Sequence, residues 1–344
     1  MGSQARRRGG PSFADARRCG PFLLFGIVLV VSCRLHTDTP SYPSRLVDSV
    51  SVIDAPLFDV KVLPSGKFVY VTNDYAGALS VLRTSDMQLV AQIPFNGGWS
   101  SSGQVVCSPD GQYVYATCYT DDDGVAVVRT ADQVVVDSFM VDGEVTSVAI
   151  APDGKRLYMA VDADSGFIVV ARLPDDVVED TIFPAGMDIY ISSLQVAPDG
   201  SRLFVGNYEN VFAMELSDNT VVWKTQTWVS PAPGGIVLHP TGSSLYVADQ
   251  QECVLVLEAG TGAISDSVLL PPNVWNMDVA PDGSFLYVAC GDETLGGLAV
   301  VRTSDDSLVS VTAMPDEVYD AAPSPDGRRL YVACENGKLY VLSR

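Results

Sequence analysis

The chain is 344 residues long and 47% hydrophobic, with 42 acidic against 21 basic side chains and a formal net charge of −21. A field of that sign repels phosphate backbones and argues against a nucleic-acid partner. Two histidines, His36 and His239, cannot build a His metal cluster or a Ser-His-Asp triad, and no Cys-x-x-Cys-His haem site is present, so an enzyme here would have to use carboxylates, arginine or a hard metal.

The front of the chain has its own character. Arg6, Arg7, Arg8, Arg17 and Arg18 precede a ten-residue apolar run, Phe22 to Val31, and then Ser32 and Cys33. Basic, apolar, small is the order of a secretory signal. Ten residues are too few to span a bilayer well. Val30-Val31-Ser32-Cys33 resembles a lipobox, whose cysteine becomes diacylated and then N-terminal. An uncleaved anchor and an ordinary signal peptide are the alternatives, but no small-x-small cleavage site follows the run. The expected organisation is a lipoprotein signal peptide over 1–32, lipidated Cys33 with a polar tether to residue 45, and one folded domain over 46–344. The expected location is periplasmic or cell-surface, with membrane contact through the lipid alone. Loss of the first 32 residues removes five arginines and one aspartate, leaving the remainder more acidic still.

The rest of the chain repeats. Pro64, Pro109, Pro152, Pro198, Pro240, Pro281 and Pro325 each open a Pro-x-Gly turn, at spacings of 45, 43, 46, 42, 41 and 44 residues. Proline presets φ at the first corner and glycine takes the left-handed corner. In the second repeat Gln104–Ser108 reads as an inner strand, Tyr113–Thr117 as a second, Val125–Arg129 as a third and Val134–Ser138 as a fourth. Four strands per period, without helical pattern, predict an all-β fold: a seven-bladed β-propeller of four-stranded blades. The aromatic column Tyr70, Tyr115, Tyr158, Phe204, Tyr246, Tyr287 and Tyr331 reads as packing between blades. The last repeat ends after its third strand, so the alternating segment Leu46–Ile53 is expected to close the ring as the outer strand of blade 7 and cover an open edge. Cys107, Cys118, Cys253, Cys290 and Cys334 read as small buried hydrophobes rather than disulfides or metal ligands. Arg83-Thr84-Ser85-Asp86, Arg129-Thr130-Ala131-Asp132 and Arg302-Thr303-Ser304-Asp305 recur between third and fourth strands and read as turn chemistry.

Tyr70-Val71-Thr72-Asn73, with the Pro-Asp-Gly turns leading into Leu-Tyr-Val-Ala at Pro281–Ala289 and Pro325–Ala333, resembles the YVTN-type seven-bladed propellers over about residues 46–344. Repeats of that kind occur in surface-layer proteins, periplasmic proteins and bacterial lipoproteins, most without an assigned reaction. The resemblance implies the fold strongly and function weakly. It points to a non-enzymatic binding or scaffolding module at the cell envelope, expected as a monomer, with an envelope protein, peptide or glycan as partner. A lactonase-propeller-like hydrolase and a purely structural surface repeat protein are the rival readings.

Propellers bind at a channel mouth, and the turn prolines index that layer. Six residues before them stand Phe58, Trp275 and Tyr319 on blades 1, 6 and 7, and five before stand Asp59, Gln104, Asn276 and Asp320. Trp99 and Tyr190 lie in other inter-blade loops. Aromatics beside carboxylates and amides suit a sugar ring, an extended peptide or a cation; equally, the rings could plug the channel. Asp121-Asp122-Asp123-Gly124 and Asp162-Ala163-Asp164-Ser165-Gly166 resemble calcium loops through Asp121, Asp123, Asp162 and Asp164, without the full pattern or a distal Glu. Solvated acidic turns are the alternative, and no other cofactor is expected.

Overall fold

The computed structural model describes residues 42–344 except 74–76, 96–102, 119–123, 164–165, 174, 176, 185–189, 230–234, 250–252 and 293–294. Cys33 and the leader lie outside the described residues, as do Trp99, Asp121, Asp123 and Asp164. Among the described residues there is no helix; the strands form seven four-stranded antiparallel sheets, one per repeat. The molecule is a seven-bladed β-propeller.

Six blades take four consecutive strands each. The seventh joins the two ends of the chain: Val318–Pro323, Arg329–Cys334 and Lys338–Ser343 are completed by Arg45–Ser51, which pairs antiparallel with Lys338–Ser343. The closing strand foreseen from the short last repeat is in place. Gly337 holds the seam, its carbonyl accepting from Val52 N at 2.9 Å.

Each blade is apolar on both faces because each is covered by two neighbours. Seven apolar clusters result, one at each blade interface. The aromatic column is their centre, and all seven rings are buried. The five cysteines are free thiols; Cys118, Cys253, Cys290 and Cys334 are buried and Cys107 nearly so. Burial pushes the Cys118 thiol up to about 12 and that of Cys253 to about 11, so these groups stay neutral and pack as small hydrophobes.

The Pro-x-Gly turns ring one end of the channel. Their glycines all have positive φ, from 64 to 76°. A methyl on Gly154 would lie 3.6 Å from Pro109 Cδ, and one on Gly242 3.4 Å from Pro198 Cδ, so these two turns abut the proline of the preceding blade. His239 substitutes in one junction: its Nε2 lies 3.0 Å from Gly283 O and its Nδ1 2.7 Å from Thr241 Oγ1. That histidine is a structural link between blades 5 and 6.

Candidate functional site at the channel mouth

The inner strands do not run straight into the opposite mouth. Their pairing with the second strands slips at Leu57/Val60, Val145/Ser147, Ile191/Ser193 and Val318/Asp320. The bulge falls at the positions five and six residues before the turn proline. A bulged strand bends and re-aims side chains, which frees Phe58 and Tyr319 from the alternation of the ladder. The Asp59 amide, at the bulge, finds a hydroxyl instead and donates to Thr72 Oγ1 at 2.9 Å; Gln104 N, just ahead of the regularly paired Val105–Cys107, donates likewise to Thr117 Oγ1 at 2.8 Å.

The position five before each turn proline links one blade to the next. Asp320 Oδ2 accepts from Val60 N at 2.9 Å, Asp59 Oδ2 from Val105 N at 2.6 Å, and Gln104 Oε1 from Val148 N at 2.6 Å. Ser147 Oγ accepts from Leu194 N at 3.1 Å and Ser193 Oγ from Ile236 N at 3.3 Å. Gly235, without a side chain, interrupts the series. Asp59, Gln104, Asn276 and Asp320, grouped from sequence as candidate contacts, are all buried at this level. Three of them spend an oxygen on the neighbouring blade's backbone, so their first role is to hold blades in register.

The aromatic layer is brought together as the spacing implied. The Tyr319 ring lies 6.1 Å from Phe58 and 5.4 Å from Trp275, the latter edge-on at 76°. Such geometries are favourable for aromatic pairs. Trp275 Nε1 donates to Glu317 Oε1 at 3.0 Å. All three rings are half-buried. Tyr190 is not part of this trio; it stacks on Tyr208 with centroids 5.1 Å apart. Asp162, the one described residue of the four calcium candidates, closes the ladder opposite Glu144. Among the described residues no group of three or more His, Cys, Asp or Glu could hold a metal.

Sequence reasoning missed two charged residues below the rings. Lys61 and Asp278 stand three before their turn prolines and line a channel cavity of 360 Å³ with Asp59, Asp320, Asn276, Gln104 and Gln195. Val106, Ala149 and Val237 form its apolar side. Lys61 Nζ sits among three carboxylates, 3.4 Å from Asp278, 3.6 Å from Asp320 and 3.7 Å from Asp59. Burial opposes its charge, but those carboxylates hold its pKa well above the ordinary lysine value. Burial also raises Asp278 against the pull of Lys61. A lysine among apolar inner-strand residues was the available signal.

No family model matches the chain, and no curated protein matches it. Among solved structures it is similar to a chain of Kuenenia stuttgartiensis hydrazine synthase, with a TM-score of 0.73 and 18% identity over 85% of this chain and 97% of that one. At that identity the likeness is one of fold.

Proposed function

We propose that this protein is a non-enzymatic binding module of the bacterial cell envelope, held to the membrane by lipidated Cys33, and that its mouth takes an extended basic peptide segment of an envelope protein. The observation that carries this reading is the contiguous Phe58–Tyr319–Trp275 surface above a channel holding three carboxylates around one lysine. Ring faces accept cations and the stems of long side chains. Surplus carboxylate below them favours a basic peptide over a neutral glycan. The leader and lipobox support export, and the YVTN resemblance supports an envelope setting. A lactonase-like hydrolase would have to present a carboxylate to its substrate. Asp59 and Asp320 keep only 3% and 1% of their side chains exposed and bond to backbone amides, and the more exposed Asp278, at 29%, is held by Lys61, which favours binding.

Tryptophan fluorescence of the full-length chain, titrated with lysine- and arginine-containing peptides and with neutral peptides and oligosaccharides, tests this. Basic peptides should bind. Trp275→Ala and Tyr319→Ala should each weaken them about tenfold or more, or about 1.4 kcal/mol, without loss of fold. Equal affinity in both variants, or preference for neutral sugars, would refute the assignment.

A further inference from the structure

We infer that Asp59 and Asp320 share a single proton inside the channel, and that this proton steadies the seam at which the propeller ring closes. The inference is independent of what the mouth binds. Both carboxylates converge on one donor: Val60 N lies 3.1 Å from Asp59 Oδ1 and 2.9 Å from Asp320 Oδ2. Both also lie within 3.7 Å of Lys61 Nζ. Two carboxylates held that close and out of water do not both ionise readily. The second oxygen of Asp320, Oδ1, is buried and receives no hydrogen bond. Buried polar atoms are almost always partnered. A proton on Asp59 would supply the missing donor.

The surroundings agree. The charged and titratable groups facing the pair are Lys61 on the same strand as Asp59, Asp278 on Met277–Val279 and Cys107 on Val105–Cys107. Burial pushes the Cys107 thiol up to about 12, so it adds no charge. Three carboxylates against one ammonium leave a surplus of negative charge, and one proton reduces it. Burial raises Asp59 well above the usual carboxylate range; Lys61 pulls the other way and Asp320 adds to the rise.

The position gives the proton a consequence. Asp320 ties blade 7 to blade 1, and Asp59 ties blade 1 to blade 2. Blade 7 is the sheet that joins the chain's two ends. In the unfolded chain Asp59 ionises near 3.9, roughly. As pH rises from about 4 through the higher folded value, the unfolded chain gives up a proton that the folded chain keeps. Stability therefore falls across that window and levels off above it.

Infrared spectra of the full-length chain provide the test. At pH 7 a protonated-carboxyl C=O band should be present, and Asp59→Asn and Asp320→Asn should each abolish it, because either substitution removes one of the two carboxylates between which the proton is shared. At pH 8 the Asp59→Asn chain should melt roughly 2–4 °C above wild type, and the two should converge near pH 4. An amide at residue 59 keeps an acceptor for Val105 N and donates permanently to Asp320. No band at pH 7, a band that survives both variants, or an Asp59→Asn chain whose melting depends on pH as wild type does overturns the shared proton. Should a variant fail to fold, the wild-type spectrum decides. Absence of the band refutes the inference, and its disappearance at the pH where the melting temperature levels off supports it.

Discussion

At the scale of single residues, two recurrent motifs turn out to be halves of one contact. The threonine of each Arg-Thr-x-Asp turn bonds the carbonyl of the Pro-x-Gly glycine in its own blade: Thr84 Oγ1 to Gly66 O at 2.6 Å, Thr130 Oγ1 to Gly111 O at 2.7 Å, Thr303 Oγ1 to Gly283 O at 2.5 Å. The arginine pairs with the aspartate three residues on, as Arg129 does with Asp132 at 2.7 Å. The ion pair is the weaker contribution, since it stands in solvent. Thr130→Val should cost about 0.5–1.5 kcal/mol and Arg129→Ala less, and thermal melts of the two variants will rank them. The reverse order would mean that the turn is held by charge. The sequence reading recognised the arginine motif as turn chemistry because it recurs in place. It did not see the glycine carbonyl, because the partner is 18–20 residues away and leaves no side-chain signature. Lys61 escaped notice for a related reason. Its partners Asp278 and Asp320 are remote in sequence and become neighbours only when blades 6, 7 and 1 meet around the axis.

At the scale of elements, the inner strands and the closing strand behave differently as objects of inference. Strand count, turn positions and closure were readable because each rests on periodicity: a repeat with three strands demands a fourth. The bulges were not, because a bulge is a mismatch between partners rather than a property of one strand. Yet the bulge is what turns Phe58 and Tyr319 to the mouth while Asp59 and Asp320 turn to the next blade. Closure is the element most open to attack. Removing residues 42–51 exposes the whole Lys338–Ser343 edge, with its Leu339 and Val341. Unpaired edges template association, so the shortened chain should melt lower and self-associate in light scattering, where a monomer of unchanged stability would mean that closure matters little. A finer probe is Gly337→Ala. Gly337 has φ +70°, and a methyl there would run into the carbonyl oxygen of Ile53. The cost comes from strain and from collision at the seam together, so this substitution should lower the melting temperature more than Gly260→Ala, whose methyl meets nothing within 4 Å.

At the scale of the whole molecule, seven near-equal blades make a ring whose symmetry hides its function. A repeat fold offers seven versions of each position, and packing is satisfied by what they have in common. Function has to be sought in what breaks the pattern. Here the break lies on blades 6, 7 and 1, where the mouth carries Trp275, Tyr319 and Phe58 and the channel wall carries Asp278, Asp320, Asp59 and Lys61, while Val106, Ala149 and Val237 fill the other side. The same side holds the closure, so the site and the seam share a structural foundation. Around them the net charge of −21 sets a long-range field. Such a field acts on the encounter more than on the bound contacts, and it is screened over about 8–10 Å at physiological salt. Three behaviours follow for a basic peptide met at this mouth. Its association rate should fall steeply as sodium chloride rises from 50 to 500 mM. Its dissociation rate should change much less, because the ring contacts are short-ranged. Trp275→Ala should do the opposite, speeding dissociation while leaving the salt dependence of association intact. Stopped-flow traces on wild type and variant separate the two terms. A salt-independent association rate would place the contact outside the reach of the acidic field, and a Trp275→Ala variant with unaltered dissociation would take the mouth out of the binding site altogether.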